Sequence, residues 1–400
     1  MKILIANIGS TSFKYKLLQT EPDAILARGR VERIGQKGAD CPDHDAAIGR
    51  CLAEIVGEGR PLAGLADLDA VGFKAVHGGP LGGARFVDED VLRAMERYAF
   101  LAPAHNPPYV AAMRAFRRQA PDLPLVALFE TAFFDSLDEA VTTYAVPWAW
   151  REELGVRRYG FHGASHRAAS ERAQALLGRR DLRHVSCHLG GSSSLAAIRS
   201  GVAIDTSFGM SPQSGVPQNN RVGDLDVFAA LYVMKERSLG IDEMARILAT
   251  EAGLLGVSGG AGDVRDLLEL AAAGDRRARL ALDVFVHAVR RSLGAFLVEL
   301  GGLDVLTFSG GIGENSAEVR AAVCRDLWAF GIQLDEDRNQ AARGEAVVSA
   351  GAGAVTVLVL PADEEAVVAR ATAEVVSSGT PRPEPSEPFL VGPAGATQKR

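Results

Sequence analysis

The chain has 400 residues, more than one hydrophobic core usually serves, and its 47% hydrophobic and 23% charged residues suit a soluble globular protein. A formal net charge of −7 argues against a nucleic-acid binder or an anionic-membrane binder, since both need a broad basic surface. No apolar run approaches the roughly 20 residues of a membrane helix, and the run at Met1 to Asn7 is too short for a signal peptide. Cys41, Cys51, Cys187 and Cys324 are scattered, with no CxxC pair or zinc spacing, so a reducing, cytoplasmic setting without a structural metal is expected.

Lys2-Ile3-Leu4-Ile5-Ala6-Asn7 predicts a buried strand, residues 8–12 a small polar turn, and residues 13–18 a second strand, together a hairpin. A strand over 70–77 breaks at Gly78-Gly79-Pro80. Helical periodicity covers 90–100, Pro107-Pro108 opens a helix over 109–118, and 125–129 is a short apolar strand. Periodicity lapses around Ala145-Val146-Pro147-Trp148, where a domain boundary is expected. Residues 184–188 and 195–198 then repeat the strand, polar turn, strand pattern of the opening, which suggests an internal duplication.

Helices are predicted over 225–235, 241–251, 264–273 and 276–300, and a strand over 304–308 leads into a Gly-rich turn. A last strand over 355–360 precedes a helix over about 363–378. The expected division is 1–148 completed by that C-terminal helix, then 149–362, then a tail over 379–400 whose Pro, Gly, Ser and charge content predicts disorder.

Four segments, read in order, resemble the acetate kinase family: Asn7-Ile8-Gly9-Ser10-Thr11-Ser12-Phe13-Lys14, Val76-His77-Gly78-Gly79, Tyr159-Gly160-Phe161-His162-Gly163-Ala164-Ser165-His166, and Gly311-Ile312-Gly313-Glu314-Asn315-Ser316. The family belongs to the sugar kinase, heat-shock ATPase and actin superfamily. The resemblance therefore implies an α/β protein of two duplicated actin-like (ribonuclease H-like) domains, with the active site in the cleft between them, and usually a homodimer. It also implies ATP- and Mg²⁺-dependent transfer of a phosphoryl group to a short-chain carboxylate, acetate or propionate, with Mn²⁺ able to replace Mg²⁺.

Such a transfer gathers several negative oxygens, so the protein must supply cations, backbone N–H groups and in-line positioning rather than covalent chemistry. The first turn offers backbone N–H groups and the Ser10 and Ser12 hydroxyls, with Lys14 as a point charge. By resemblance Asn7 lies near the magnesium and Lys14 near the nucleotide phosphates, while Glu364 matches a magnesium-associated glutamate. His188-Leu189-Gly190-Gly191-Ser192 resembles the second phosphate loop. Gly311 to Asn315 (Gly311, Ile312, Gly313, Glu314, Asn315) and Asp263-Val264-Arg265 resemble the segments that contact the nucleotide. Glu130 stands at the catalytic acid position, and His162 and Arg221 are expected to face the transferring phosphoryl group. Lys74 is expected to grip the carboxylate, within an apolar wall of Val76, Ala104, Phe161 and Pro212.

The chain departs from the family pattern at this site. Lys74 replaces an arginine and loses its bidentate fork, and Glu130 is one methylene longer than the usual aspartate. Gly191-Ser192 replaces Asn-Gly, and Asn219-Asn220 precedes Arg221 in place of Gly-Thr. Ala104 replaces a leucine, which predicts a wider pocket and an acid larger than acetate. Two further readings are a nucleotide-binding metabolite sensor of the same fold with weak catalysis, and an actin-like or heat-shock-type ATPase acting on proteins.

Overall fold

The computed structural model describes residues 1–9, 11–36, 41–351 and 354–379. The tail expected over 379–400 thus lies, apart from Gly379, outside the described residues. A first six-stranded sheet contains β1 (Lys2–Ile8), β2 (Ser12–Thr20), β3 (Asp23–Glu32), β4 (Ala70–Ala75), β5 (Ala84–Phe86) and β6 (Leu125–Phe129), in the order β3-β2-β1-β4-β6-β5. A second contains β7 (Arg183–Leu189), β8 (Ser193–Arg199), β9 (Val202–Thr206), β10 (Val305–Ser309), β11 (Ala346–Val347) and β12 (Thr356–Val359), in the order β11-β12-β10-β7-β8-β9.

The two sheets match strand for strand. In each, the first three strands form an antiparallel meander, the fourth joins the first in parallel, the sixth joins the fourth in parallel, and the fifth closes the edge antiparallel. This is the duplicated actin-like α/β plan expected from the repeated hairpin. The third strands, β3 and β9, are not expected from the sequence, and neither are the helices His44–Ile55 and Gly163–Leu177. Elsewhere the ends shift. Pro107 and Pro108 fall inside the first turn of a helix that already starts at Asn106, because early helical positions need no intrahelical N–H bond. Asp226 accepts a hydrogen bond from the Phe228 N–H and starts the next predicted helix at Val227.

Alternation along β1 explains its continuous apolar run. Leu4 and Ala6 face a core with Ile48, Met113 and Phe116, whereas Ile3 and Ile5 face Val367, Val368 and Val375 of the last helix, Glu364–Ser378. The equivalent strand β7 is built differently. Val185, Cys187 and Leu189 face the core formed with Phe285, Val289 and Phe296 of the long helix Arg276–Leu300. The opposite set, His184, Ser186 and His188, is polar, with His184 and Ser186 fully buried. Helices Gly163–Leu177 and Glu364–Ser378 pack together between the sheets, tied by Arg370 to Glu171 at 2.7 Å.

Candidate active site

Two parallel strands deliver the first charged groups. β4 and β6 run in register with Lys74 opposite Leu128 and Ala75 opposite Phe129, and the Glu130 N–H donates to the Ala75 carbonyl at 2.8 Å. Lys74 and Glu130 therefore emerge together at the carboxyl ends of neighbouring strands, the edge at which open α/β sheets bind ligands. Glu364, in the first turn of the last helix, meets Lys74 with 2.5 Å between Oε2 and Nζ. Asn7, Lys74 and Glu364 line one cavity of about 130 Å³. Tyr109 closes in from the helix behind β1, donating its hydroxyl to Asn7 Oδ1 at 3.4 Å.

Glu130 is 3% exposed, and neither carboxylate oxygen has a hydrogen-bond partner among the described residues. Burial pushes its carboxyl up to about 7, and the Glu364 carboxylate pushes the same way, against the pull of Lys74 and the weaker pull of the His162 backbone N–H. Burial also works against the Lys74 cation, but Glu364 and Glu130 outweigh it and hold the ammonium above its ordinary value. For Glu364, burial would raise the carboxyl, and Lys74 together with His188 keeps it low.

His162 sits immediately before helix Gly163–Leu177, at φ 59°, a left-handed conformation that non-glycine residues seldom adopt. The next residue explains the fit. The Gly163 N–H donates to the Glu130 carbonyl at 2.9 Å, and a Cβ on Gly163 would stand 2.4 Å from that oxygen. The turn thus brings the His162 ring over His188, with 4.3 Å between ring centroids. Burial and the neighbouring His188 and His166 rings keep His162 well below its ordinary titration range. His188 Nδ1 lies 2.7 Å from Ser165 Oγ, and His162 Nδ1 lies 2.8 Å from Ser194 Oγ.

Arg221 approaches from the other side. Its Nη1 donates to Gln218 Oε1 at 3.2 Å and to Ser192 Oγ at 3.3 Å, and Ser192 Oγ donates to Gln218 Oε1 at 2.6 Å. Arg221 is thereby tied to the 190–192 turn between β7 and β8. Burial, and after it the positive charges of Arg221 and Lys74, hold His105 down to about 3.

The segments expected to meet the nucleotide partly converge. Gly310, at φ 75°, passes so close to the Leu189 carbonyl that a Cβ would stand 2.7 Å from it, and a Cβ on Gly190 would stand 3.7 Å from the Gly311 nitrogen. Helix Gly310–Asn315 therefore abuts the 188–192 loop. Its Glu314 accepts from the Gly310 and Ala362 N–H groups at 3.0 and 3.1 Å, and the Asn315 amide donates to the Gly311 carbonyl. Asn219 donates its N–H to the Gly191 carbonyl at 3.3 Å, and its side-chain amide lies beside the space that Gly191 leaves open. Asp263 caps helix Val264–Ala272 and pairs with the exposed Arg265, while Val264 is a core residue. Lys14 is exposed on β2 opposite Asn7. Ser10 lies outside the described residues.

Val76 and Phe161 join Ala102, Tyr159 and Phe208 in one buried apolar cluster. The buried alanine there is Ala102. Ala104, expected in the wall, is exposed in the turn that follows, and Pro212 is buried and accepts from the Gln218 amide at 2.7 Å. Sequence reasoning missed Ser194, His166, Gln218, Tyr109 and Arg320. The first two had a signal: His184, Ser186 and His188 recur with period two in an otherwise apolar strand, and a buried polar stripe needs partners. Arg320, 1% exposed, donates to the carbonyls of Gly313, Glu314 and Asn339 and to Asn339 Oδ1, and so holds the end of helix Gly310–Asn315. Nothing in its sequence context marks it.

Comparison with known proteins adds a family. The model described as the Acetokinase family matches residues 2–370. An acetate kinase of Carboxydothermus hydrogenoformans is 38% identical over 396 residues, covering 94% of this chain and 99% of that protein. A propionate kinase of Citrobacter rodentium is 40% identical over 399 residues, covering 95% and 98%. The crystal structure of Porphyromonas gingivalis acetate kinase superposes with a TM-score of 0.85 at 35% identity, covering 94% of this chain and 99% of that one.

Proposed function

The chain belongs to the Acetokinase family, and we propose on that premise that it is a kinase transferring the γ-phosphoryl group of ATP to acetate or propionate. The observation that carries this reading is Glu130, a buried, unpartnered carboxyl set among Lys74, His162 and Glu364 at the junction of the two sheets. Such a group is costly to keep unless a ligand completes it. Relatives called acetate kinase and propionate kinase favour these acids over larger ones, and favour turnover over sensing.

Asn7 Oδ1 and the Glu364 carboxylate line the same cavity and offer oxygen, the donor magnesium prefers, so these two would hold the ion. When bound, the ion supplies neutralisation of phosphate charge. The remaining work falls to the chain. The 190–192 turn and the start of helix Gly310–Asn315 cradle the nucleotide phosphates with backbone N–H groups. Lys74 shares its charge between Glu364 and the acceptor carboxylate. Val76, Phe161 and Phe208 take the alkyl end of the acid. Arg221 and His162 donate to the equatorial oxygens of the phosphoryl group in flight, and the unpartnered Glu130 carboxyl beside Lys74 is left to meet the ligand. Lys14, Asp263 and Arg265 complete the nucleotide side.

We read the chain as two domains, 1–148 completed by 363–378, and 149–362, which the matched sheets support. A homodimer in the cytoplasm completes the reading. Helix Val227–Arg237 buries none of its residues and exposes Val227, Leu231, Tyr232 and, at 77%, Phe228, which suits a second copy. All four cysteines are free and buried, which suits a reducing compartment. Among the described residues, no helix is long and apolar enough to cross a membrane.

Hydroxylamine trapping of acyl phosphate, with ATP, Mg²⁺ and acetate, propionate or butyrate, tests the activity. Product from acetate or propionate is expected, and ATP binding without product from any acid contradicts the reading. Light scattering at micromolar concentration tests the dimer, with a monomer as the contrary result.

A further inference from the structure

Behind His162 runs a chain of buried side chains. His162 Nδ1 lies 2.8 Å from Ser194 Oγ, the same oxygen lies 2.8 Å from His166 Nε2, and His166 Nδ1 lies 2.9 Å from Ser186 Oγ. Ser186, His166 and Ser194 are each 0% exposed. Each hydroxyl has one proton to donate, and each neutral imidazole has one donor and one acceptor nitrogen. Because a hydroxyl oxygen can also accept from both rings, the chain can be wired in three ways, and only one of them gives every hydroxyl proton an acceptor within the chain.

From these contacts we infer that Ser186, His166 and Ser194 are positioning residues that fix the tautomer of His162, holding its proton on Nε2, where it faces the reacting groups. In this wiring the Ser186 hydroxyl donates to His166 Nδ1, His166 Nε2–H donates to Ser194 Oγ, and the Ser194 hydroxyl donates to His162 Nδ1. The full reversal leaves the Ser186 hydroxyl to donate elsewhere, and the wiring in which Ser194 Oγ accepts from both rings leaves the Ser194 hydroxyl to donate elsewhere. Among the described residues neither Ser186 Oγ nor Ser194 Oγ makes a further hydrogen bond. An orphaned buried O–H disfavours either alternative by roughly one to two orders of magnitude. Both alternatives would also aim a lone pair of His162 at the phosphoryl oxygens, which repel it. Neutral rings are what the chain needs, and burial keeps both His162 and His166 well below their ordinary range.

The inference rests on the reading of His162 as a phosphoryl-facing donor, but its direct test does not need turnover. Protein labelled with ¹⁵N-histidine is examined by NMR at pH 7, with His162→Gln to assign the ring. The expected spectrum has His162 neutral and protonated on Nε2. A neutral ring protonated on Nδ1, or an imidazolium, overturns the inference. Ser186→Ala, which touches neither His162 nor the cleft, is expected to move the bare His166 Nδ1 resonance to that of an acceptor without a donor, and a His166 ring protonated on Nδ1 in wild type overturns the wiring. Ser194→Ala is expected to lower kcat about tenfold or more with KM for both substrates within about twofold, the signature of a lost transition-state donor. Ser194→Thr, which keeps the hydroxyl, is expected to retain the Nε2 proton and most of kcat, and its failure to do so in a folded protein counts against the inference. Wild-type protein that shows the Nε2 tautomer but makes no acyl phosphate refutes the kinase reading alone.

Discussion

Lys74 and Glu364 form an ion pair at 2.5 Å although 290 residues separate them in the chain. One ends a strand of the first sheet and the other begins the last helix. The pair joins the sheet to the helix at the point where Asn7, Glu130 and His188 also converge. It keeps two ligand-binding groups charged and in place before any ligand arrives, and each must exchange part of that contact for its ligand.

Removing one partner strands the other. Glu364→Gln leaves the Lys74 ammonium mostly buried beside a neutral group, at a cost of about 3 kcal/mol, the low end for a broken buried pair because both side chains keep some exposure. Burial would raise the Glu364 carboxyl, but Lys74 with His188 holds it low, so the pair stabilises the protein above the ordinary carboxylate range, and this is lost as pH falls through the lowered value. Thermal melts between pH 3 and 7 should show the difference between variant and wild type shrinking toward acid pH. A constant difference would count against the pair.

Glu130 has the opposite sign. Its folded value of about 7 lies above the ordinary 4.5, so the protonated form is favoured in the fold. Stability is greatest below the ordinary value and falls as pH rises through 7, by up to about 3 kcal/mol. Glu130→Gln removes this penalty. Its melting temperature relative to wild type should rise between pH 5 and pH 8, while kcat falls about 10²-fold. A variant that is less stable than wild type by the same margin at both pH values would contradict the assignment.

Arg320 should matter to nucleotide binding without touching it. Arg320→Met leaves the carbonyls of Gly313, Glu314 and Asn339 without their donor and should cost about 3 kcal/mol or more. Loosening helix Gly310–Asn315 should raise KM for ATP more than it lowers kcat. Denaturant unfolding and steady-state kinetics check the two effects.

The apolar cluster should set acid preference. Val76→Ala removes two methyl groups from a buried wall and should shift the propionate-to-acetate ratio of kcat/KM by about tenfold or more toward propionate. Ala104→Leu, at an exposed position, should change that ratio less. A larger effect at Ala104 would relocate the pocket.

Much of the plan was legible because it is written in local patterns. The two hairpins, β1-β2 and β7-β8, show as apolar runs around small polar turns, and helix Arg276–Leu300 carries its periodicity over its whole length. β3 escaped because Asp23–Glu32 lacks a clean alternation, and its pairing with β2 shifts register at Leu17/Leu18. Helix Gly163–Leu177 escaped because its inner face is made of Gly, Ala, Ser and His, small and polar residues chosen for close packing between the sheets. The motif residues Glu130, His162 and Arg221 could be named from sequence. The Ser194 and His166 contacts could not, because they join segments that only the fold brings together. Ala104 and Ala102 differ by two positions in one turn, and periodicity is silent on which of them is buried.

Phosphoryl transfer at this cleft depends on the Arg221 cation more than on any apolar contact. The most direct test compares acyl phosphate formation by wild type and Arg221→Ala with ATP, Mg²⁺ and either acetate or propionate. Product is expected from wild type, with a kcat about 10²-fold lower or more in the variant, whose KM for the acid changes much less. Absence of product from wild type with both acids, or equal rates from the two proteins, would contradict it.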